Sequence, residues 1–499
     1  MNVSNSTTPT GERLTDTRLE TQWKDINWET VTDNVNRLQV RITKAVNQGK
    51  RHSVKRLQYL LTHSFYAKLL AIKKVTQNKG TRTVGVDGEK WTTPEAKMNA
   101  ALNLSDEKYK AKPLRRVYIE KYGKKEKRPL SIPTMHDRAM QALYSLALNP
   151  VAETTADRAS FGFRKNRSTH DACEQAFNCL SKKNSARWVL EGDIKGCYDN
   201  INHEWLLDNI PMDKSILKQF LKAGFVYNRH LNPSKSGTPQ GGIISPILAN
   251  MTLDGIEALI ASNYYTSKYG RVDKRYDHHK VNFVRYADDF IVTVDSEEIA
   301  KEIAELIKSF LKERGLELSE SKTLISHIDD GFNFLGWNLR KYKGKLLIKP
   351  SKGSVDKITK KISDIIKRGK AWKQEELISI LNPIITGWSN YHQSAVSKDI
   401  FSNLDNRLWG MLWRWAKRRH PEKSKSWVVD KYWHKIGMRE WIFSIEGNIL
   451  KFFSDTKIVR HPNLKLGMNP YLDKEYFDLR RYKIDTRKKI DKPSSKMIV

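Results

Sequence analysis

The chain has 499 residues, of which 89 are Lys or Arg and 56 are Asp or Glu, so its formal net charge is +33. This length predicts roughly three or four folding units, and the excess of positive charge favours a polyanion, above all nucleic acid, as the partner. The sequence has no uncharged apolar run of about 18 residues, no signal-peptide pattern and no paired-cysteine motif. We therefore expect a cytoplasmic protein without a membrane span or a disulfide framework.

Two segments precede the first region of mixed structure. Residues 1–20 are rich in Asn, Ser and Thr without helical periodicity, which predicts disorder. Residues 21–90 are basic and largely helical in pattern, as the spacing of Leu38, Ile42 and Val46 illustrates. We expect this second segment to form a helical N-terminal extension.

Strand and helix patterns mix over residues 91–345, which predicts an α+β fold. A strongly basic, hairpin-like segment at 115–141 either forms a solvated face or binds a triphosphate. Further on, "ARWVLEGDIKGCYDNI" at 186–201 contains a short apolar strand, residues 188–190, that runs toward Asp193. A strand followed by an acid and a Gly-containing turn often presents a ligand at a sheet end, but alone this pattern is weak.

A glycine-rich loop precedes an apolar stretch in "SGTPQGGIISPILANMTLD", residues 236–254. Gly237 and Gly241 permit close backbone approach and Gln240 adds an amide, while the apolar stretch can start a helix. One interpretation is a tight turn before a core helix. The other is a surface on which a nucleotide or template base lies.

Two adjacent acids interrupt the apolar segment "VNFVRYADDFIVTV" at 281–294, which predicts a β-hairpin with its tip at residues 287–289. An isolated Asp-Asp pair is more often a plain polar turn. Neighbouring carboxylates repel by roughly 3 kcal/mol in apolar surroundings, however, and a hard cation would relieve that repulsion. Asp288 and Asp289 together with Asp193 suit two Mg²⁺ ions. We expect magnesium, not a salt bridge, to compensate these acids.

The last third of the sequence is mainly helical, basic and rich in Trp. It opens with a predicted hairpin at 331–354 that turns near Lys343 and Gly344. A helix with apolar residues at helical spacing follows and ends near Gly369. We expect most of the tryptophans beyond it to fill a core.

In their order along the chain, these segments resemble the reverse transcriptases encoded by bacterial group II introns, over about residues 25 to 480. "RYADDFIV" is similar to the catalytic box of that family, "EGDIKGCYDNINH" to its first metal-binding box and "GTPQGGIISPILANMTLD" to its nucleotide and template loop. "NPIITGWSNYHQ" at 382–393 is similar to the maturase thumb signature. The sequence lacks the paired cysteines of an HNH endonuclease after Cys197, so it resembles the form without that domain, for which a primer would come from elsewhere.

The resemblance implies a right-hand polymerase of fingers, palm and thumb with a helical N-terminal extension. Residues 1–20 are expected to be disordered and residues 21–90 to form the N-terminal extension. Residues 91–345 would form the fingers and palm, residues 346–425 the thumb or maturase domain, and residues 426–499 a basic DNA-binding region.

The resemblance also assigns roles to individual residues. Asp193, Asp288 and Asp289 would hold two Mg²⁺ ions, with the Ile194 carbonyl completing one site, and Lys322 would be a general acid toward pyrophosphate. The residues that would contact the dNTP are Lys121, Arg128, Tyr198 and Gln240, of which Tyr198 would exclude the 2′-hydroxyl. The residues that would support the primer end are Leu335, Gly336 and Trp337.

The expected function is RNA-directed DNA synthesis from dNTPs combined with maturase binding of group II intron RNA, in splicing and mobility. The expected partners are intron RNA, an RNA template and a DNA target or primer, within a cytoplasmic or nucleoid-associated ribonucleoprotein. Two alternatives remain open from the sequence. One is a splicing protein whose RNA binding matters more than its polymerase; the other is a related reverse transcriptase of anti-phage defence or CRISPR adaptation.

Overall fold

The computed structural model describes residues 16–120 and 127–489. Five helices form the N-terminal part of the described chain: α1 (Asp16–Lys24), α2 (Trp28–Asn47), α3 (Arg51–His63), α4 (Phe65–Gln77) and α5 (Pro94–Leu102). The predicted basic helical segment is confirmed. The prediction of disorder over 1–20 is wrong for residues 16–20, because α1 packs against α5 and buries Leu19 in the core. Residues 1–15 lie outside the described residues.

The first sheet contains four strands in the order β2-β1-β4-β5. Its members are β1 (Leu114–Glu120), β2 (Lys127–Ile132), β4 (Phe225–Tyr227) and β5 (His230–Asn232). Strands β1 and β2 form an antiparallel pair, which confirms the predicted basic hairpin. Strand β4 joins β1 in parallel, so a segment from far along the chain completes this sheet.

The central sheet has the order β6-β7-β3-β8, and each strand is antiparallel to its neighbours. Its members are β3 (Trp188–Gly192), β6 (Asn282–Tyr286), β7 (Asp289–Val294) and β8 (Leu324–His327). Eight α-helices lie between β2 and β8 in the sequence. They are α6 (Met135–Thr155), α7 (Thr169–Leu180), α8 (Cys197–Asn200), α9 (His203–Asn209), α10 (Lys214–Lys222), α11 (Ser245–Leu253), α12 (Ile256–Tyr264) and α13 (Glu297–Lys312). Helix α13 packs across β3 and β7, so one face of the central sheet is covered.

The third sheet is formed by β9 (Phe332–Phe334), β10 (Trp337–Tyr342) and β11 (Lys345–Pro350), in the order β11-β10-β9. Strands β10 and β11 pair from Trp337 to Tyr342, and the two-residue turn between them is Lys343 and Gly344. Both turn residues have positive φ, 50° and 78°. This confirms the predicted hairpin and its turn.

A second core lies C-terminal to the third sheet. Its elements are α14 (Lys352–Arg368), α15 (Gln374–His392), α16 (Lys398–Arg419), α17 (Lys425–Tyr432), β12 (Trp433–Ile436), β13 (Arg439–Ile445) and β14 (Asn448–Ile449). The predicted helix that ends near Gly369 is confirmed. Tyr432, Phe443 and Phe453 pack into the same core as the helices, so this core extends across the boundary predicted at residue 425.

The end of the described chain returns to the region before the central sheet. Helix α18 (Lys474–Lys489) brings Arg480 into an ion pair with the buried Asp171 of α7. His461 Nε2 lies 2.9 Å from the same carboxylate. Within the described ranges, none of the helices is both long and apolar enough to span a bilayer.

Candidate active site

The acidic hairpin tip lies at one end of the central sheet. Tyr286 of β6 pairs with Asp289 of β7, so Ala287 and Asp288 are the two residues of the turn. Ala287 adopts a φ of 57°, a left-handed conformation that the tight turn requires. The predicted hairpin is confirmed, but its tip is one residue shorter than the predicted 287–289, because Asp289 already belongs to β7.

Asp193 lies beside this tip because of strand register. It follows β3, whose last residue Gly192 pairs with Phe290 of β7. One residue beyond that pair, the antiparallel register sets Asp193 alongside Asp289. The Asp193 carbonyl accepts a hydrogen bond from the Ser319 N–H at 2.8 Å, which fixes the backbone there.

The three carboxylates share one electrostatic environment. Loss of solvent, followed by the charges of Asp288 and Asp193, raises the pKa of Asp289 to about 6, although part of this residue remains exposed. Burial and the Asp193 charge also raise the pKa of Asp288, while Arg128 and Lys322 oppose that shift. A cation among these oxygens would relieve the repulsion.

One expectation about these acids is wrong. Asp193 does form a salt bridge, because Lys322 Nζ lies 2.5 Å from its Oδ2. The bridge of Ile194 with Leu318 holds the segment that carries Lys322 next to Asp193. About half of the Lys322 side chain is exposed, so its ammonium remains accessible from the site.

In the ranges that the structure describes, no three Asp, Glu, His or Cys side chains form a ready-made metal-binding group. The donor chemistry nevertheless suits Mg²⁺, which prefers carboxylate and carbonyl oxygens. The antiparallel bridge between Ile194 and Leu318 is formed by hydrogen bonds of the Asp193 carbonyl and the Lys195 N–H. The Ile194 carbonyl takes part in neither of these bonds. Asp288, Asp289 and this carbonyl are therefore suitable oxygen donors, and Asp193 keeps acceptor positions for a cation beside its contact with Lys322.

Tyr198 lies on α8, next to the glycine-rich loop. The Thr238 N–H donates to the Tyr198 carbonyl at 2.6 Å, which holds the loop along the turn that contains Tyr198. Burial raises the pKa of the Tyr198 hydroxyl, and the Asp288 charge acts in the same direction. The phenol is therefore within electrostatic range of the hairpin tip. The predicted helix after the loop is confirmed as α11.

Gln240 connects the loop to two other elements. Its side-chain Nε2 donates to Asp199 Oδ2 at 3.2 Å. Its backbone carbonyl accepts a hydrogen bond from the Ser131 N–H of β2 at 2.8 Å. Arg128 lies on the same strand β2, and its charge acts on Asp288. The loop, the first sheet and the hairpin tip therefore meet in one place.

A pocket of about 220 Å³ lies between the first sheet and the loop. Its lining includes Arg116, Tyr198, Asp199 and Gln240, so guanidinium, phenol, carboxylate and amide groups face the same space. Lys121, predicted to contact a triphosphate, lies outside the described residues.

The predicted primer-supporting residues form a second tight turn. Leu335 and Gly336 join β9 to β10 with φ of 51° and 86°. Trp337 is fully buried and stacks on Tyr391 with ring centroids 4.5 Å apart. The Tyr391 hydroxyl donates to the Leu335 carbonyl at 2.8 Å. Leu335 and Gly336 thus form the turn itself, whereas Trp337 supports it from the core.

A buried group beneath the hairpin tip was missed by the sequence interpretation. Arg285 is fully buried; its Nη1 donates to the carbonyl of Ala287 and to Asn250 Oδ1, each at 3.2 Å. Its Nη2 forms an ion pair with Asp254. Nearby, a Cβ on Gly162 would lie 2.2 Å from the Ala287 nitrogen, so this position requires glycine. An Arg inside an apolar strand was the available signal, because a buried charge needs a partner.

Three family models match the chain in order. They are the N-terminal domain of reverse transcriptase over residues 23–104, the reverse transcriptase (RNA-dependent DNA polymerase) over 119–339, and the group II intron maturase-specific domain over 355–433. The group II intron-encoded protein LtrA of Lactococcus lactis subsp. cremoris is 31% identical over 424 residues, which cover 68% of this chain and 70% of LtrA. Protein YkfC of Escherichia coli (strain K12) is 32% identical over 325 residues, which cover 57% of this chain and 83% of YkfC.

Proposed function

The chain belongs to the group II intron-encoded reverse transcriptases, and we propose that its hairpin tip is the polymerase centre, where Asp193, Asp288 and Asp289 hold two Mg²⁺ ions. The protein is an RNA-directed DNA polymerase and an intron maturase. The observation that carries the proposed site is the meeting of three acids at one sheet end, where the pKa of Asp289 is raised to about 6. Bound Mg²⁺ supplies activation of the primer 3′-hydroxyl and stabilisation of the leaving pyrophosphate.

We propose that the elements around this centre form a right hand. We assign the first sheet to the fingers, the central sheet to the palm and helices α14–α16 to the thumb. The maturase-specific match over 355–433 supports binding of intron RNA by the thumb region. The basic residues after 426 are proposed to contact DNA, and those of the N-terminal helices to extend the RNA-binding surface.

Four residues are proposed to position the incoming dNTP. Gln240 would lie against the base pair that is being formed, since its loop borders the pocket beside Tyr198. Arg128, with Lys121, would bind the triphosphate, because its charge acts on the same hairpin tip. Tyr198 would close the space that a ribose 2′-hydroxyl needs.

Two further roles concern the product and the primer. Lys322 is proposed as the general acid that protonates the leaving pyrophosphate, which requires its ammonium to leave Asp193. The turn of Leu335 and Gly336 is proposed to support the primer end. Trp337 and Tyr391 would keep that turn rigid from below.

Replacing Tyr198 with Ala is expected to weaken discrimination against rNTPs by at least about tenfold, because loss of the ring opens space for the 2′-hydroxyl. The measurement is the ratio of kcat/KM for a dNTP and the matching rNTP on one RNA template. Tyr198→Phe keeps the ring and is the matched control, with an unchanged ratio. An unchanged ratio in the Ala variant would remove Tyr198 from this role.

The Mg²⁺ concentration that gives half-maximal primer extension is expected to rise as the pH falls from about 8 to about 6. The pKa of Asp289 is about 6 and that of Asp288 is also raised, so lowering the pH adds protons that compete with metal for these oxygens. Steady-state extension rates over a Mg²⁺ series at several pH values test this. A half-saturating concentration that does not change with pH would argue against these acids as metal ligands.

Primer extension on RNA and intron splicing, measured with one preparation, test the two activities. The wild-type protein should extend a DNA primer and should promote splicing of its intron at near-physiological magnesium. Intact extension without any effect on splicing would favour a related reverse transcriptase of anti-phage defence or CRISPR adaptation. Splicing without extension would favour a protein that acts only by binding RNA.

A further inference from the structure

An exposed aromatic surface lies where the maturase-specific region ends. We call it the tryptophan ledge; it consists of Trp409 and Trp413 of α16 and Trp441 of β13. The rings of Trp409 and Trp413 are parallel within 3°, with centroids 5.7 Å apart. Both rest on the buried Trp433, at 5.8 and 5.7 Å, and Trp441 approaches Trp409 at 6.4 Å. The ledge is therefore held by the second core and is rigid.

Two of these tryptophans are exposed to solvent although they lie next to the second core. Trp409 is 37% exposed and Trp441 is 51% exposed, and Met438 at the adjoining hairpin tip is 98% exposed. The prediction that most tryptophans of this region fill a core agrees with the buried Trp415 and Trp433, whereas Trp409 and Trp441 are exceptions. Large apolar side chains grouped on a surface commonly mark a binding site.

The backbone of Trp441 is strained in a way that presents its ring. Strands β12 and β13 pair at His434 with Ile442 and at Ile436 with Arg439, so a bulge places two residues of β13 opposite one of β12. Trp441 lies in this bulge with a φ of 61°, a conformation that normally requires glycine. Backbone strain of this kind persists only where the surrounding structure enforces it, and it is enriched at functional sites.

The charge next to the ledge is positive. Arg414 is exposed on α16 one residue after Trp413, whereas the exposed Arg407 and Arg418 lie on the far face of that helix. Gly410, next to Trp409, has no side chain, and the nearest side-chain atom to its Cβ position is Arg414 Nη1 at 3.8 Å. The surface thus combines flat apolar rings with the guanidinium group of Arg414 at its edge.

We propose that the tryptophan ledge stacks against unpaired nucleotides of the bound RNA while Arg414 contacts one of their phosphates. Single-stranded RNA offers flat bases together with negative charge, and aromatic stacking is a common mode of its recognition. In duplex RNA the bases are already stacked on each other and do not reach a protein ring. The inference rests on the proposed binding of intron RNA and specifies side chains that contact it.

Trp441→Gly in the full chain tests the ledge, because glycine suits the backbone conformation at this position. The probes are a labelled RNA of mixed sequence without secondary structure and the duplex that it forms with its complement, titrated by fluorescence anisotropy. The affinity for the single strand should fall between about five- and a hundredfold, while that for the duplex stays unchanged. Trp441→Phe keeps a ring and should retain most of the affinity.

Tyr269→Ala is the matched control, because Tyr269 is an 84% exposed aromatic residue outside the ledge; it should leave both affinities unchanged. An unchanged single-strand affinity in Trp441→Gly, or an equal loss of affinity for both probes, would refute the proposed stacking of RNA bases on the tryptophan ledge. Dissociation of a wild-type dimer by Trp441→Gly, seen by sedimentation, would overturn it in favour of a contact between copies. If the wild-type protein binds neither RNA, the proposed RNA-binding function fails instead.

Discussion

Replacing Asp288 or Asp289 with Asn is expected to abolish primer extension on an RNA template while RNA binding is retained. Both carboxylates lie at the hairpin tip within electrostatic range of Asp193, and Asn keeps their shape without the negative charge. Loss of metal-held charge stabilisation costs several kcal/mol in the transition state, and about 4 kcal/mol corresponds to a rate decrease of about 10³-fold.

Single-turnover extension with a saturating dNTP measures this loss, and anisotropy with the template RNA measures binding. Asp295→Asn is the matched control, because it removes the same charge just beyond the other end of β7, where Asp295 pairs with His279. Near-normal extension in both tip variants would refute the proposed centre.

Folding is not expected to explain the loss in Asp289→Asn. The folded-state pKa of Asp289 is about 6, above the unfolded value of about 3.9, so the ionised carboxylate opposes folding at neutral pH. This destabilising effect is relieved as the pH falls through about 6. Asn removes the unfavourable charge, so Tm of the metal-free variant at neutral pH should equal or exceed that of the wild type.

The parts of this site that depend on local sequence could be predicted. The hairpin around Ala287 and Asp288 follows from acids between two apolar strands, and the turn at Lys343 and Gly344 follows from a glycine between two strand-like runs. The position of Asp193 at a strand end also follows, because an apolar run stops just before it. In each case nearest-neighbour patterning and turn chemistry determine the structure.

The parts that depend on distant contacts could not be predicted. Lys322 and Asp193 are 129 residues apart in sequence, and no local pattern indicates that their side chains meet. Helix α1 begins inside a polar segment because packing against α5 outweighs its composition. The second core crosses residue 425 because strands β12 and β13 return to the helices, and no local pattern in the sequence reveals this contact.

Arg285 is the position where the largest loss of stability is expected. Replacing it with Leu leaves the buried Asp254 without its ion-pair partner, and breaking such a pair typically lowers the free energy of unfolding by about 3–5 kcal/mol. Burial already raises the pKa of Asp254, and Arg285 opposes that shift. In the variant the folded state would bind a proton at Asp254 more tightly than the unfolded state does. The loss should therefore be smaller at about pH 5 than at about pH 8.

The double variant Arg285→Leu/Asp254→Asn separates stability from activity. Removing both charges should recover much of the stability, since no buried carboxylate is left unpaired. Primer extension should still be about tenfold slower than in the wild type, because the Ala287 carbonyl loses its donor and one hydrogen bond is worth about 1.4 kcal/mol. Denaturant unfolding and single-turnover extension on the same samples measure the two quantities. Full recovery of both would show that Arg285 serves only the ion pair, whereas recovered stability with slow extension would show that it also positions the turn that carries Asp288.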